Sequence, residues 1–316
     1  MACAARARGR RALMLCLGIC LSLLPAVNAA HAEAPGIAVI YPQISEPYRD
    51  VFRQIVDGVR EAADGPVIAR AIEEGDSLDW IGEQNITRVI ALGRRGMAAS
   101  QQLPPAVAVV VGAVLLPPGP SAGVSGVTLT PHPARLFDRL LRLSPSSRRV
   151  YVVYHPENNE ALMALARDMA DQRNIELIAL AAADQREAML HYREIVERRV
   201  RPGDAIWLPQ DSVTVNESVV LPLLLEKAWA HQIVVFSSSP AHVRRGVLFA
   251  LYPDNVAMGR RLAGLVHERA REDGNQARLS PLVDLRAAIN VRAADHLRLG
   301  VHRQDLRDYD LVFPSR

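Results

Sequence analysis

Arg149-Val-Tyr-Val-Val-Tyr-His-Pro-Glu-Asn-Asn159 carries the reading of the fold. An apolar run rich in valine and tyrosine stops at a His-Pro turn, and a helical pattern over 158–171 follows at once. A near-continuous apolar run of this length suits a strand covered on both faces, as in a parallel sheet. Toward the C-terminus the unit recurs: 175–179, 204–208 and 232–236 are predicted strands, with helices over 185–198 and 216–230 between them. Toward the N-terminus, 36–41, 67–69, 88–92 and 106–111 read as four more strands, with helices over 47–62 and 95–102. Pro117-Pro118-Gly119-Pro120-Ser121, with Pro131 and Pro133 beyond it, breaks the two series apart. Two later extended segments, 247–252 and 282–289, flank a helix over 255–271. Strand–helix alternation at this spacing means parallel sheets joined by right-handed crossovers. The prediction is an α/β protein of two Rossmann-like lobes joined by a multi-strand hinge. The first lobe would take residues 35–128 plus 253–279, and the second 129–252 plus 280–316.

The first 32 residues read differently. Arg6, Arg8, Arg10 and Arg11 form a positive start, residues 12–27 are apolar, and Ala30-His31-Ala32 supplies small residues at a cleavage point before Glu33. This is the pattern of a secretory signal peptide, shorter than the roughly 20 apolar residues a membrane span requires. Lipidation at Cys16 or Cys20 is the alternative, but Leu15 and Ile19 stand where a lipobox has small residues. Cleavage after Ala32 would remove all three cysteines and four of the 37 basic residues but none of the 34 acidic ones, taking the net charge from +3 to −1. The expectation is a periplasmic, cysteine-free mature chain, and one whose charge gives no reason to expect nucleic acid as a partner.

Catalytic constellations are not found. Gly123-Val-Ser-Gly-Val127 lacks the closing glycine of a nucleophile elbow. The single lysine, Lys227, stands in no Walker A motif, and Gly93-Arg-Arg-Gly96 is not G-x-G-x-x-G. No H-E-x-x-H pair occurs; His132, His155 and His242 could approach one another at a cleft mouth, but isolated histidines more often cap, pack or sit in water. The reading is therefore of a protein that is not an enzyme and takes no metal or cofactor. Ligand sites of open parallel sheets lie beyond the carboxyl ends of the strands. That rule selects the polar turns Tyr41-Pro-Gln-Ile-Ser-Glu46, Gly93-Arg-Arg-Gly96, Gly112-Ala113, His155-Pro-Glu-Asn-Asn159, Pro209-Gln-Asp-Ser212 and Ser237-Ser-Ser-Pro240. Gly93-Arg-Arg-Gly96 leads into a helix whose first N–H groups could hold an anion. Asn158, Ser212 and Ser239 could equally cap the helices that follow them. Trp80, Trp207 and Trp229 read as core or helix residues, which argues against an aromatic sugar platform.

Five segments carry a resemblance to a known family. Asp204-Ala-Ile-Trp-Leu-Pro-Gln-Asp-Ser-Val213 resembles "DAIYVPTDNTV", and the stretch from Gln232 to Gly246 resembles "KIPVFASDEDSVKRG". Val247–Gly259 resembles "ALAALGFDYYELG", Ala288–Gly300 resembles "LVVNLKTAKKLG", and Val150–Asn159 resembles "IGVLYNPSEANS". These are segments of the bacterial ABC-transporter substrate-binding proteins, in the group that includes binders of tryptophan and other aromatic amino acids. The resemblance implies the type I periplasmic-binding-protein fold, a small polar or amphipathic, amino-acid-like ligand and delivery to a membrane permease, with a sensory module reporting to a membrane receptor or kinase as the alternative and a periplasmic enzyme on a similar scaffold as a distant third. It implies a monomer that closes by hinge motion. By position it implies ligand contacts at Gln43, Arg94, Glu157, Asn158, Asp211, Ser238 and Tyr252. The chain departs from the family where it has Gly93-Arg94-Arg95 in place of small residues, and Ser239-Pro240 in place of an acid. It also lacks the family's Asp-Pro after the fourth strand.

Overall fold

The computed structural model describes residues 36–46, 48–120, 123–271 and 277–314; the expected signal peptide lies outside the described residues. The chain runs β1 (Ile37–Pro42), α1 (Tyr48–Ala62), β2 (Val67–Ile72), α2 (Asp79–Glu83), β3 (Arg88–Leu92), α3 (Gly93–Ser100), β4 (Ala108–Val114), β5 (Gly119–Pro120) and β6 (Ser125–Pro131). It continues through α4 (Pro133–Leu143), β7 (Arg149–Tyr154), α5 (Pro156–Asp171), β8 (Glu176–Ala181), α6 (Gln185–Glu194), β9 (Ala205–Leu208), α7 (Val220–His231), β10 (Val234–Ser237), α8 (Pro240–Arg245) and β11 (Phe249–Pro253). Last come α9 (Asn255–Arg271), β12 (Arg278–Leu282), β13 (Leu285–Asn290), α10 (Val291–His296) and β14 (Leu311–Phe313).

Two sheets result. The first has the order β2-β1-β3-β4-β6-β12-β5 and is parallel except for the β12–β5 pair. The second has the order β14-β13-β11-β10-β9-β7-β8, with only β11–β13 antiparallel. The apolar runs end up buried on both faces. In β1, Ile37 and Val39 join the core beneath α1 and α9, while Ala38 and Ile40 join the one beneath α2. In β7, Val150 and Val152 pack with α4 and α5, and Tyr151 and Val153 with α6 and α7. This is the two-sided burial expected of a helix-covered parallel sheet.

The chain passes between the sheets three times: at Pro131-His132-Pro133, at Pro253-Asp254 and at Val283-Asp284. Pro133 at the first helical position and the His132 ring, whose Nδ1 accepts from Ala134 N at 3.2 Å, start α4 directly after the first passage. The three segments are hydrogen-bonded side by side. His132 N donates to Leu282 O at 2.8 Å and Asp254 N to Asp284 O at 3.1 Å. Leu285, at the third passage, packs against a core of each sheet. Strands β6 and β12 stay in the first sheet as far as Pro131 and Leu282, a few residues past the expected passages at 128/129 and 279/280. The segment expected as one strand over 282–289 is accordingly β13 alone, begun after that passage.

Helix α9 returns to the first sheet and lies against α1 at backbone contact. A Cβ on Gly58 would sit 1.9 Å from Val256 O, and one on Gly259 would sit 2.0 Å from Ile55 O. Other departures from the expected elements have local causes. The helix expected from Asn216 starts at Val220, because the Asn216 side chain accepts from Ser218 N and Val219 N and holds a turn there. The helix over 185–198 stops at Glu194 and runs into a π-helical turn, Ile195–Arg199. Strands β5, β6, β12 and β14 and helices α2, α4, α8 and α10 have no counterpart in the sequence reading; β5, β14, α2, α8 and α10 are short, and β6 and α4 flank the proline-rich first passage.

Candidate functional site

Strand direction decides where a ligand can sit. β6 runs parallel to β4, β3 and β1, and its C-terminal end is the first passage toward the second sheet. β11 runs parallel to β10, β9 and β7, through its pairing in order, and its C-terminal end is the passage back. The carboxyl ends of both parallel arrays therefore point toward the passages, and the turns chosen by the strand-end rule belong to two facing sets.

On the first sheet, Gln43 follows β1 and Arg94 follows β3, two neighbouring strands. Gln43 is exposed and its N–H donates to Ile72 O at 2.9 Å. Arg94 and Arg95 stand in the first turn of α3, both exposed, with neither guanidinium paired among the described residues. The helix opens directly at Gly93, whose φ of +70° favours glycine, and no side chain caps its first amides. Gly112-Ala113 is not a turn. β4 continues through it to Val114 with a register shift, Ala113 taking φ +54°.

On the second sheet, the turns after β7, β9 and β10 are adjacent, because those strands are neighbours. Glu157 and Asn158 are exposed in the first turn of α5. His155, not Asn158, is the cap residue there, and Asn158 Nδ2 lies 3.5 Å from His155 Nδ1. Asp211 is buried and its carboxylate is saturated from within the protein. Oδ2 accepts His155 N at 2.7 Å and Asn159 Nδ2 at 3.1 Å; Oδ1 accepts Val213 N at 3.0 Å and Thr214 N at 3.3 Å. Its geometry is that of a tie between two turns. Ser238 is buried directly after β10, and Tyr252 is half-buried near the end of β11. Burial pushes the Tyr252 phenol up, with Asp310 adding to it. Ser239 occupies the cap position of α8, yet its side chain makes no capping bond.

Sequence reasoning missed a second tie. The Ser237 hydroxyl, buried at the end of β10, lies 2.7 Å from His242 Nδ1, and His242 Nε2 lies 3.2 Å from Glu217 Oε1. Arg245 Nη1 stands 3.8 Å from Glu217 Oε2. Burial holds the His242 imidazole below its ordinary value. Its place among the histidines singled out earlier was the one available signal. The three do not come together: His132 caps α4, His155 occupies the cap position of α5 without a side-chain cap, His242 bonds Ser237, and no group of three or more metal-ligating side chains stands together among the described residues. Two cavities, one beside Ile233, Leu248 and Trp229 and one beside Val107 and Val124, lie at the amino ends of strands, away from these turns.

Comparison with known proteins accords with this layout. No curated protein matches the chain in sequence. A Streptococcus pneumonia ABC domain solved in complex with L-Trp is 15% identical and superposes with a TM-score of 0.52 over 89% of this chain and 100% of its own. The ligand-free, open form of a Clostridium difficile substrate-binding protein with adhesive properties is 12% identical, with a TM-score of 0.61 over 88% and 99%. A chain of the XylFII–LytSN complex is 12% identical, with a TM-score of 0.55 over 81% and 97%. At such identities the likeness speaks to the fold, which is that of type I periplasmic binding proteins. The family described as "ABC transporter substrate binding protein" matches residues 105–298, more than half of the sequence. With that match added to the facing strand-end turns, the chain belongs to the ABC-transporter substrate-binding protein family and is a solute-binding protein.

Proposed function

We propose that this protein captures a small, amphipathic, amino-acid-like solute between its two sets of strand-end turns, outside the cytoplasm, and delivers it as a monomer to an ABC permease. The observation that carries this reading is the arrangement of two parallel arrays whose carboxyl ends face each other across three hydrogen-bonded passages. Such a scaffold closes by hinge motion, with passage segments absorbing the dihedral change. The lobes so hinged would be residues 35–128 plus 253–279 and 129–252 plus 280–316, with the first extended to Pro131 and Leu282 by its strands.

Within that reading each residue takes a role from its chemistry. Arg94 and the uncapped amides of α3 favour a carboxylate, since helix N-termini and guanidinium groups both stabilise anions. Glu157, exposed on the opposite array, suits an ammonium group. Gln43, Asn158 and Ser238 offer directed hydrogen bonds, and Tyr252 an apolar wall. Asp211 acts through the turns it ties, because its four acceptor directions are already used. The pneumococcal neighbour solved with L-Trp makes L-tryptophan the first solute to try.

A thermal-shift screen on the full chain, beginning with L-tryptophan and extending through amino acids, purines, sugars and carboxylates, tests this. Saturating solute at about a hundredfold over Kd stabilises the folded state by about 2.7 kcal/mol. A flat response to every class would remove the solute-capture reading.

A further inference from the structure

One of the turns that depart from the family pattern, Ser237-Ser238-Ser239-Pro240, is wired to a buried histidine. We infer that Ser237, His242 and Glu217 form a positioning relay that sets the backbone of the solute-facing Ser238–Ser239 turn and couples it to the turn after β9, and that the relay works only with a neutral imidazole. The inference rests on the proposed use of these turns as the solute site.

The proton inventory fixes the relay's direction. Ser237 Oγ accepts the Ser239 N–H at 3.1 Å. Its own proton is left for His242 Nδ1 at 2.7 Å, so Nδ1 must be the unprotonated nitrogen. Nε2 then carries hydrogen and donates to Glu217 Oε1 at 3.2 Å. The opposite tautomer would face a bare nitrogen toward a carboxylate and strand a buried hydroxyl proton. Ser237 is 1% exposed, so its hydroxyl is a structural element and not a nucleophile open to substrate.

The relay's endpoints give it a functional reach. Glu217 belongs to the segment between β9 and α7, the same segment that Asp211 ties to His155 and Asn159. Through the two ties, the turns after β7, β9 and β10 form one bonded unit carrying Glu157, Asn158 and Ser238. Adding a proton at Nδ1 would turn the acceptor of the Ser237 hydroxyl into a donor: Oγ would then take Nδ1–H and Ser239 N–H on its two lone pairs, its own proton would be left without an acceptor, and the buried turn that holds the Ser239 amide would loosen. The charged groups acting on the imidazole are Glu217, half-exposed across from it, and Arg245 on its own helix. Burial outweighs Glu217 and keeps the ring neutral at ordinary pH.

Nuclear magnetic resonance on the full chain tests this without a solute. At pH 7.5 the His242 ring nitrogens should report the Nε2–H tautomer, and the Ser239 amide should be protected from exchange. On acidification the Ser239 protection factor should fall about tenfold, the cost of leaving the buried Ser237 hydroxyl proton without an acceptor, with the same midpoint as the ring titration. His242→Gln, which keeps a neutral acceptor and donor, should hold Ser239 protected at every pH. Ser237→Ala, which removes the acceptor of that amide, should leave it unprotected throughout. A second arm measures L-tryptophan affinity by calorimetry at pH 7.5 and 5.0, expected to weaken in the parent and stay level in His242→Gln. An Nδ1–H tautomer, or Ser239 exchange indifferent to the ring's charge, overturns the relay. Failure of L-tryptophan to bind at either pH counts against the solute assignment, and the amide readout still decides the relay.

Discussion

Replacing Asp211 with alanine should be the most damaging single truncation in the second lobe's turns. The carboxylate takes four N–H donors at 2.7–3.3 Å, from His155, Asn159, Val213 and Thr214. Two of these donors, on Asn159 and Thr214, belong to buried residues. Each would lose its partner where water reaches poorly, at about 1–3 kcal/mol apiece. The other two, the amides of His155 and Val213, lie on half-buried residues and can recruit water. Removing a buried carboxylate returns part of the loss, since it no longer needs to be desolvated. The net expectation is about 3 kcal/mol of destabilisation. Asp211→Asn should not restore the tie, because the amide keeps one acceptor oxygen but sets its N–H groups against the other pair of donors. Urea unfolding followed by Trp207 emission reads this well. That indole is buried in the same sheet, stacked on Phe236 and edge-on to Phe137. A loss below about 1 kcal/mol for Asp211→Ala would mean that water substitutes for the carboxylate, and would refute the tie.

Three further outcomes follow from the same geometry. Gly259→Ala places a Cβ 2.0 Å from Ile55 O, forcing α9 off α1, and should lower stability by at least the 1–3 kcal/mol typical of overpacking; an unshifted Tm would contradict the backbone contact. Arg94→Ala should weaken a carboxylate solute about ten- to a hundredfold, the worth of a charge-assisted hydrogen bond, and unchanged calorimetric affinity would take Arg94 out of the site. For pH, burial first and then Arg135 and Arg173 hold the His132 ring below its ordinary value of 6.5. The folded state then binds fewer protons than the unfolded chain, so stability is retained above about pH 6.5 and lost as pH falls below it toward the folded value. His132→Asn keeps a good cap for α4 without the titration, and should flatten part of that acid loss in melts between pH 7.5 and 5.

Much of the architecture was readable along the chain. Residues 149–154 and 88–92 are strands as expected, and 255–271 is the helix predicted, because apolar runs and helical periodicity are local properties. The strand-end rule, Gly112-Ala113 aside, selected turns that do stand at the carboxyl ends of strands, since it needs only strand direction. Its miss at Gly112-Ala113 came from a register shift inside β4 that no local pattern announces. The capping alternative for Asn158 and Ser212 did not hold either. The backbone chose His155 and Val219 as cap residues, with Pro156 preset for the first position of α5.

What the sequence by itself determined is the set of elements and their class: apolar strands, amphipathic helices and polar turns in alternation, which admit little besides helix-covered parallel sheets. Tertiary structure alone decided the pairings. The 56 residues separating His155 from Asp211 become a 2.7 Å hydrogen bond only because β9 lies beside β7 in the sheet. Ser237, His242 and Glu217 meet for the same reason, and α9 reaches α1 only after the chain has returned from the second sheet to the first. Local preferences act within a turn or two of chain. The identity of a buried group's partner depends on which strands the whole chain sets side by side, and on the need of every buried donor for an acceptor.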